Sequence, residues 1–498
     1  MSSRLVLLVA GLLAFSGTGA GCSEPVEPIG FVPAPPPAHP LNLVLVVLDT
    51  TRPDFLTPYG GPDSAAPGLE DFAAEATRFE QAYSSSCWTL PAHATMFTGL
   101  SPNAHGATQS SRRVDSKLPL LAEILRGAGY ATAGFSANPW IGDGDLSRGF
   151  RTFEEPVLTK RSWLAGQLDD DEARRSRAVR PIREWLKERK GSEKPFFLFV
   201  NLMRAHHPYI PTPDVARELM DLETDELREA VAEFYPELFE GGRARSLMNR
   251  HYERENPLDA GEWERISALY RASVRSSDDE LKNILRLIDR STDKEKTLVL
   301  IVSDHGESLG EHGHFGHILN LYETSVRVAF LARGPGFEPG AVDSTPVHLA
   351  DVYTTLLAAA KVAPPEEAAE TIGVDLAQAR PRNRVLSASL EAPSLQLDPF
   401  SEEVLSSGVL DRYRAGASAA IAGRYKLIER SVGLEELYDL ATDPSESKPL
   451  NPATINPDVL SELRRGIEAA RPGMASQVEP TEMDEESLEA LRALGYFK

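Results

Sequence analysis

Five apolar runs set the framework of the chain. Leu43–Leu48 (LVLVVL), Tyr130–Ala137 (YATAGFSA), Phe196–Leu202 (FFLFVNL), Thr297–Ser303 (TLVLIVS) and Val326–Ala332 (VRVAFLA) are short, continuous and rich in β-branched or aromatic residues. Such runs suit the central strands of a parallel sheet covered on both faces. Between them lie segments of helical spacing, LPLLAEILRGAG, RAVRPIREWLKE and ELKNILRLIDR. Strand and helix alternating in this way predict a doubly wound, mostly parallel α/β sheet with helices on both faces.

Two regions depart from the alternation. Asp214–Glu264 is dense in Glu and Arg at helical spacing and shows no strand signal. It reads as a helical insertion, either a cover over a site or a solvated excursion. Beyond Pro381, the pieces RVLSASL, GASAAIAGRYKLIE and ELYDLATDP are strand-like and separated by turn signals. They predict a small C-terminal antiparallel sheet packed on the main domain. The expected organisation is a main α/β domain over 42–380 with the insertion at 214–264, an α+β subdomain over 381–450 and a helical tail over 451–498.

The N-terminus carries a different pattern. Met1–Arg4 is a short basic start, Leu5–Phe15 an apolar run, and Gly17–Gly21 a small-residue stretch leading to Cys22. This is the layout of a signal peptide over 1–21. The apolar run is shorter than the roughly 20 residues of a lasting transmembrane anchor. Ala20-Gly21-Cys22 resembles a bacterial lipobox whose cysteine is lipid-modified, with Gly19 where a Leu is usual; cleavage without lipid is the alternative. The expected location is the bacterial cell envelope, with the protein exported and lipid-anchored to a membrane in the periplasm or at the outer membrane. The proline-rich segment 22–41 reads as an extended tether.

Composition narrows the partners. With 42% hydrophobic and 25% charged residues, the 498-residue chain is an ordinary folded protein able to bury a large core. A net charge of −22 argues against nucleic acid as a partner. An anionic substrate therefore needs a locally positive pocket or a bound cation. Only two cysteines exist, Cys22 and Cys87, so the exported protein is expected to hold together without disulfides. Cys87 reads as a small buried hydrophobe.

The candidate chemistry sits at strand ends, where open α/β sheets bind ligands. The first strand runs into Asp49-Thr50-Thr51-Arg52, FFLFVNL leads to Arg204-Ala205-His206-His207-Pro208-Tyr209, and TLVLIVS runs into Asp304-His305-Gly306-Glu307. Asp49, Asp304 and His305 offer two carboxylates and an imidazole, a set suited to one divalent cation such as Mn²⁺, Zn²⁺ or Ca²⁺. Coordination to such an ion would activate a hydroxyl that is otherwise a poor nucleophile. Thr89, in SSSCWTLPAHATMFTG after the strand-like ATRFEQAY, is the hydroxyl proposed by the sequence.

Taken in order, NLVLVVLDTTRPDF, TLPAHATMFTG, HHPYIP, SDHGESLGEHGHFGH and LYETSVRVAFLARGPG resemble the motifs of the sulfatase branch of the alkaline phosphatase superfamily. GRYKLIE and ELYDLATDP resemble that family's C-terminal subdomain, so the resemblance spans residues 42–450. It implies an alkaline-phosphatase-like fold and an ester hydrolase using a divalent metal. Asp49 corresponds to the first metal-ligating aspartate; Thr50, counted in the implied metal set, stands where a second aspartate is usual, leaving one carboxylate fewer. Asp304 and His305 match the late ligand pair, and Thr89 completes the implied metal set. His206 matches the histidine of His-x-Pro-Tyr, which contacts the ester oxygens or protonates the leaving group. His317 falls where a lysine normally contacts substrate.

The resemblance breaks at the nucleophile. Sulfatases carry Cys-x-Pro-x-Arg, whose cysteine becomes formylglycine; here the matching residues are Thr89, Pro91 and His93, and Cys87 lies two positions early. The implied catalytic group is thus Thr89 with His93, His206 and His317. Asn138, after the YATAGFSA strand, is a candidate donor to a substrate oxygen, and His207 a wall residue. His312 and His314 read as loop residues, with a second metal as the alternative; Glu307 and Glu311 carry no assignment. The sequence favours hydrolysis of phosphoesters or phosphonate esters. Three alternatives stay open: a sulfuric ester hydrolase acting on a sulfated glycan, a phosphoethanolamine or phosphoglycerol transferase, and a non-catalytic binding module. The partner in each case is an anionic ester, as a small molecule, lipid head group or glycan.

Overall fold

A computed structural model describes residues 40–62, 65–155, 171–236, 247–252, 258–317, 319–366, 370–381, 383–391 and 416–471. The expected signal peptide, the lipobox at Cys22, most of the tether and the Glu479–Lys498 segment lie outside the described residues.

The strands are β1 (Asn42–Leu48), β2 (Thr77–Phe79), β3 (Ala82–Tyr83), β4 (Ala131–Ser136), β5 (Thr152–Glu154), β6 (Phe196–Leu202), β7 (Thr297–Ser303), β8 (Ser308–Leu309), β9 (Phe315–Gly316), β10 (Arg327–Val328), β11 (Phe330–Arg333), β12 (Val342–Asp343), β13 (Val347–His348), β14 (Val385–Leu390), β15 (Ala417–Ala422), β16 (Tyr425–Arg430) and β17 (Leu434–Asp439). Eight form the main sheet in the order β12-β2-β11-β7-β1-β6-β4-β5. β7, β1, β6, β4 and β5 run parallel, while β11 is antiparallel to both β7 and β2.

The apolar run of β1 explains its central place. Leu43, Leu45 and Val47 join one buried cluster and Val44, Val46 and Leu48 the other, so the two-residue period fills both faces. Each such side chain stabilises the fold by about 1.5–3 kcal/mol relative to exposure. The helices Thr89–Thr98, Leu121–Gly127 and Ala350–Ala360 cover the first face; Pro67–Ala73, the Val179–Leu186 part of Asp171–Glu188, and Ala260–Ser291 cover the second.

Three boundaries differ from the sequence reading. Glu264 does not end a separate insertion: Ala260–Ser291 is one helix of 32 residues that also contains ELKNILRLIDR. Its Asp259 side chain accepts from the Glu262 amide at 2.9 Å, and buried Ile266, Leu269, Leu281, Ile284 and Ile288 carry the apolar stripe through the charged stretch. Val326–Ala332 divides between β10, which pairs with β3, and β11, in the main sheet. ATRFEQAY likewise splits into β2 and β3, in different sheets.

The C-terminal sheet, ordered β14-β15-β16-β17, is antiparallel throughout and packs the helix Pro457–Ala470 through Leu463 and Ile467. Its other contribution is to the Ser84–Trp88 loop. Ser389 donates its amide to the Ser85 carbonyl at 2.9 Å, and Ser86 Oγ donates to the Ser389 carbonyl at 2.8 Å. Among the described residues, no helix is long and apolar enough to cross a membrane.

Candidate active site

Register brings the candidate residues to one edge. Leu48 pairs with Ser303 and with Leu202, and Asn201 with Ser136, so the residues following β1, β7, β6 and β4 emerge together. Asp49, Asp304 and His305 are buried and place one ligand atom each within 4.8 Å of one another. Among the described residues they form the one such group of three, so no second cluster gathers around His312 or His314. His312 instead stacks on Tyr322, with ring centroids 3.8 Å apart.

The donor chemistry of these residues fits a divalent cation. His305 donates Nδ1–H to the Gly306 carbonyl at 2.9 Å, which leaves a lone pair on Nε2. Asp304 Oδ1 accepts from the amides of Thr50 and His305 at 3.0 and 2.9 Å, but its buried Oδ2 has no hydrogen-bond partner. An orphaned buried carboxylate oxygen beside an imidazole lone pair is costly without a cation. Burial, reinforced by the Asp49 charge, pushes Asp304 well above the usual carboxylate range. Burial also pulls Asp49 upward, but His206, His305 and His93 outweigh it and hold Asp49 at about 2.

Asp49 is fixed from three sides. Thr50 Oγ1 donates to Oδ1 at 2.8 Å, while Asn138 and Asn201 donate to Oδ2 at 2.9 and 3.0 Å. Thr50, expected in the metal set, thus spends its hydroxyl on the neighbouring ligand. It does so from a left-handed backbone, φ 56°, a conformation that costs about 1–3 kcal/mol and persists only where its surroundings hold it. Here the Thr50 amide reaches Asp304 and its carbonyl accepts from Tyr270 Oη at 2.8 Å.

Thr89 is the first residue of the Thr89–Thr98 helix and is buried. Asn138 Nδ2 donates to its Oγ1 at 3.1 Å, and His305 Nε2 lies 3.4 Å away. One helical turn on, His93 reaches the group, yet it donates Nδ1–H to the Thr89 carbonyl at 3.0 Å and packs edge-on against Phe97 and Phe199. Burial pulls it down to about 4. Cys87 faces the apolar core instead, where burial pushes its thiol up to about 12.

The remaining histidines line the same edge. The His317 ring centroid is 4.5 Å from that of His305 and 5.1 Å from that of His206. Burial, with repulsion from His305 and His206, holds His317 well below the usual histidine range. His207 is a wall residue packed on Tyr235 and Phe315. Two groups escape motif reading. Asn201 is the single polar residue of FFLFVNL, and a polar side chain in a strand buried on both faces demands a partner. Glu307 is fully buried, pushed up to about 7 by burial against the opposing pull of His206, His305, Tyr209 and Arg52, and it pairs with His317.

The Sulfatase family model matches residues 41–362. Choline-sulfatase of Rhizobium meliloti (strain 1021) is 25% identical over 442 residues, covering 81% of this chain and 81% of its own. Arylsulfatase K of Bos taurus is 25% identical over 456 residues, covering 85% of this chain and 80% of its own. Among solved structures, phosphonate monoester hydrolase of Agrobacterium radiobacter matches with a TM-score of 0.66 at 19% identity, over 86% of this chain and 95% of that one. A protein solved in complex with its substrate D-glucosamine-2-N,6-O-disulfate matches with a TM-score of 0.64 at 16% identity, over 86% of this chain and 97% of that one. At these identities the structural likeness is one of fold.

Proposed function

Because the chain belongs to the sulfatase family of the alkaline phosphatase superfamily, and is a hydrolase of ester bonds, we propose that it cleaves phosphodiesters or phosphonate monoesters with Thr89 as nucleophile. The observation that carries this reading is the exchange of places between Thr89 and Cys87. The threonine hydroxyl meets Asn138 and His305, while the cysteine that could become formylglycine lies in the core.

Asp49, Asp304 and His305 would hold the metal on which the family depends. That ion would supply Lewis acidity, lowering the pKa of a nearby hydroxyl and neutralising charge on the ester. The chain supplies the rest. Placement at a helix N-terminus favours developing negative charge on Thr89, and the Asn138 amide donates to the same oxygen. His206, beside His317, is the group assigned to the departing oxygen. Sulfate esters suit this site less well. A sulfated threonine lacks the second hydroxyl through which a formylglycine hydrate expels its oxyanion, whereas water can attack phosphorus.

The test is a substrate panel. The full chain, loaded in turn with Mn²⁺, Zn²⁺ and Ca²⁺, is given nitrophenyl phosphodiester, phosphonate monoester, phosphate monoester and sulfate. Turnover of the first two above the sulfate supports the proposal; preferential sulfate release overturns it.

A further inference from the structure

A buried polar side chain with no partner in the protein marks a place where something else can supply one. Gln109 is 1% exposed, yet neither Oε1 nor Nε2 of its amide has a hydrogen-bond partner in the protein. Its neighbour Thr108 also keeps a buried hydroxyl without one. Both residues line a crevice between the Ser84–Trp88 loop, the start of the Thr89–Thr98 helix and the end of β14.

The walls divide by chemistry. Trp88, Pro91 and Pro102 supply apolar surface, and Trp88 is held by its edge-on contact with Trp140, ring centroids 5.4 Å apart. Glu391 supplies a carboxylate. The Ser110 amide and hydroxyl fix it at 3.0 and 2.8 Å, and each oxygen keeps a further lone pair. Lys, Arg and His are absent from the described lining. Thr108 and Glu391 are half-buried at the rim, whereas Gln109 and Trp88 lie deep.

The unpaired amide selects the occupant. An anion would satisfy Nε2 alone and meet the Glu391 charge; a cation would satisfy Oε1 and strand Nε2. A hydroxyl group both donates and accepts, so adjacent hydroxyls on one molecule serve both ends of the amide and Glu391. Water has the same capacity but gains nothing from a tryptophan and two prolines. The carbon skeleton of a sugar or polyol buries against them.

We infer that this crevice binds a neutral hydroxylated molecule, a sugar or polyol, with Gln109 as its central hydrogen-bonding residue. Two sources share that chemistry, a free sugar or polyol and the alcohol portion of the ester, because Trp88 and Pro91 flank Thr89 on one segment.

The test is direct binding to the full chain, read by saturation-transfer NMR and tryptophan fluorescence. Glycerol and methyl glucoside are the probes; acetate and tetramethylammonium are the charged controls. Gln109→Leu keeps the bulk and removes an amide that no protein group uses. Its urea midpoint should equal or exceed that of the unsubstituted chain, while affinity for the hydroxylated probes falls about 5–100-fold. Glu391→Gln should weaken the same probes by a smaller factor. Absence of saturable binding, equal binding of a charged control, or unchanged affinity in Gln109→Leu overturns the inference. A lowered midpoint in Gln109→Leu makes the amide a structural group and overturns it too. A second arm separates the sources by giving the Mn²⁺-loaded chain the glyceryl and the propyl nitrophenyl phosphodiester. A preference for the glyceryl ester that Gln109→Leu abolishes assigns the hydroxyls to the ester. Equal turnover of the two, with free glycerol still bound, assigns them to a separate molecule. Turnover of neither ester defeats the Thr89 reading instead, and the binding arm still decides the site.

Discussion

The Asn138 amide nitrogen lies 3.1 Å from Thr89 Oγ1 and 2.9 Å from Asp49 Oδ2, so one side chain joins the hydroxyl to the first carboxylate. Its orientation is set from the other end. Asn138 Oδ1 caps the Pro139–Asp143 helix by accepting from the Trp140 amide at 3.1 Å, which leaves only the donor end for the site. Asn138→Ala should lower kcat about 10–100-fold with a smaller change in KM. Steady-state kinetics on the phosphodiester check this.

Asp304 carries the orphaned oxygen, so its removal should be felt as lost metal before anything else. Asp304→Asn keeps the shape and one acceptor for the Thr50 and His305 amides. Calorimetric titration with Mn²⁺ should show affinity reduced by at least about 10–100-fold.

Parts of this site are legible in the sequence because a parallel sheet collects its strand ends. Asp49, Asp304 and His305 each follow an apolar run directly, and the register of β1, β6 and β7 does the rest. Asn138 has the same signal, two residues beyond β4. Glu307 does not: its value depends on the β8–β9 pairing, and two-residue strands leave no periodicity to read. The 32-residue helix is hidden for another reason. Its apolar stripe is interrupted by Arg and Glu on the solvent side, so charge density suggests a boundary where the backbone has none. Short strands such as β2 and β3 divide a single apparent run because the chain bends at Glu80–Gln81, which no propensity marks.

Asp278 offers a test of stability against pH. It accepts from the Gly68 and Leu69 amides at 2.6 and 2.7 Å at the start of the Pro67–Ala73 helix, yet burial pushes it up to about 6. The folded state therefore binds its proton more tightly than the unfolded state. Between about pH 4 and pH 6 the folded chain carries more protons at this site, and stability from this group falls as pH rises. Denaturant titrations across that window should show a loss of roughly 1–3 kcal/mol that Asp278→Asn removes.

Lys426 joins the C-terminal sheet to the main domain. Its buried amine sits 2.9 Å from both Glu323 and Glu446. Lys426→Ala would leave the buried Glu446 carboxyl and the half-buried Glu323 carboxyl without their cation, and breaking a buried pair costs about 3–5 kcal/mol. Urea titrations should show a loss of unfolding free energy of that size, read from the midpoint shift and the slope. Because Ser389 of the same sheet braces Ser85, thermal loss of activity should move with it.

Thr89 is the residue on which the proposed chemistry depends. The most direct measurement is phosphodiester turnover by metal-loaded Thr89→Ala beside the unsubstituted chain, with metal content shown to be equal. Turnover should fall about a thousandfold or more, as for other enzymes deprived of their nucleophile. Undiminished turnover in Thr89→Ala would contradict the nucleophile role.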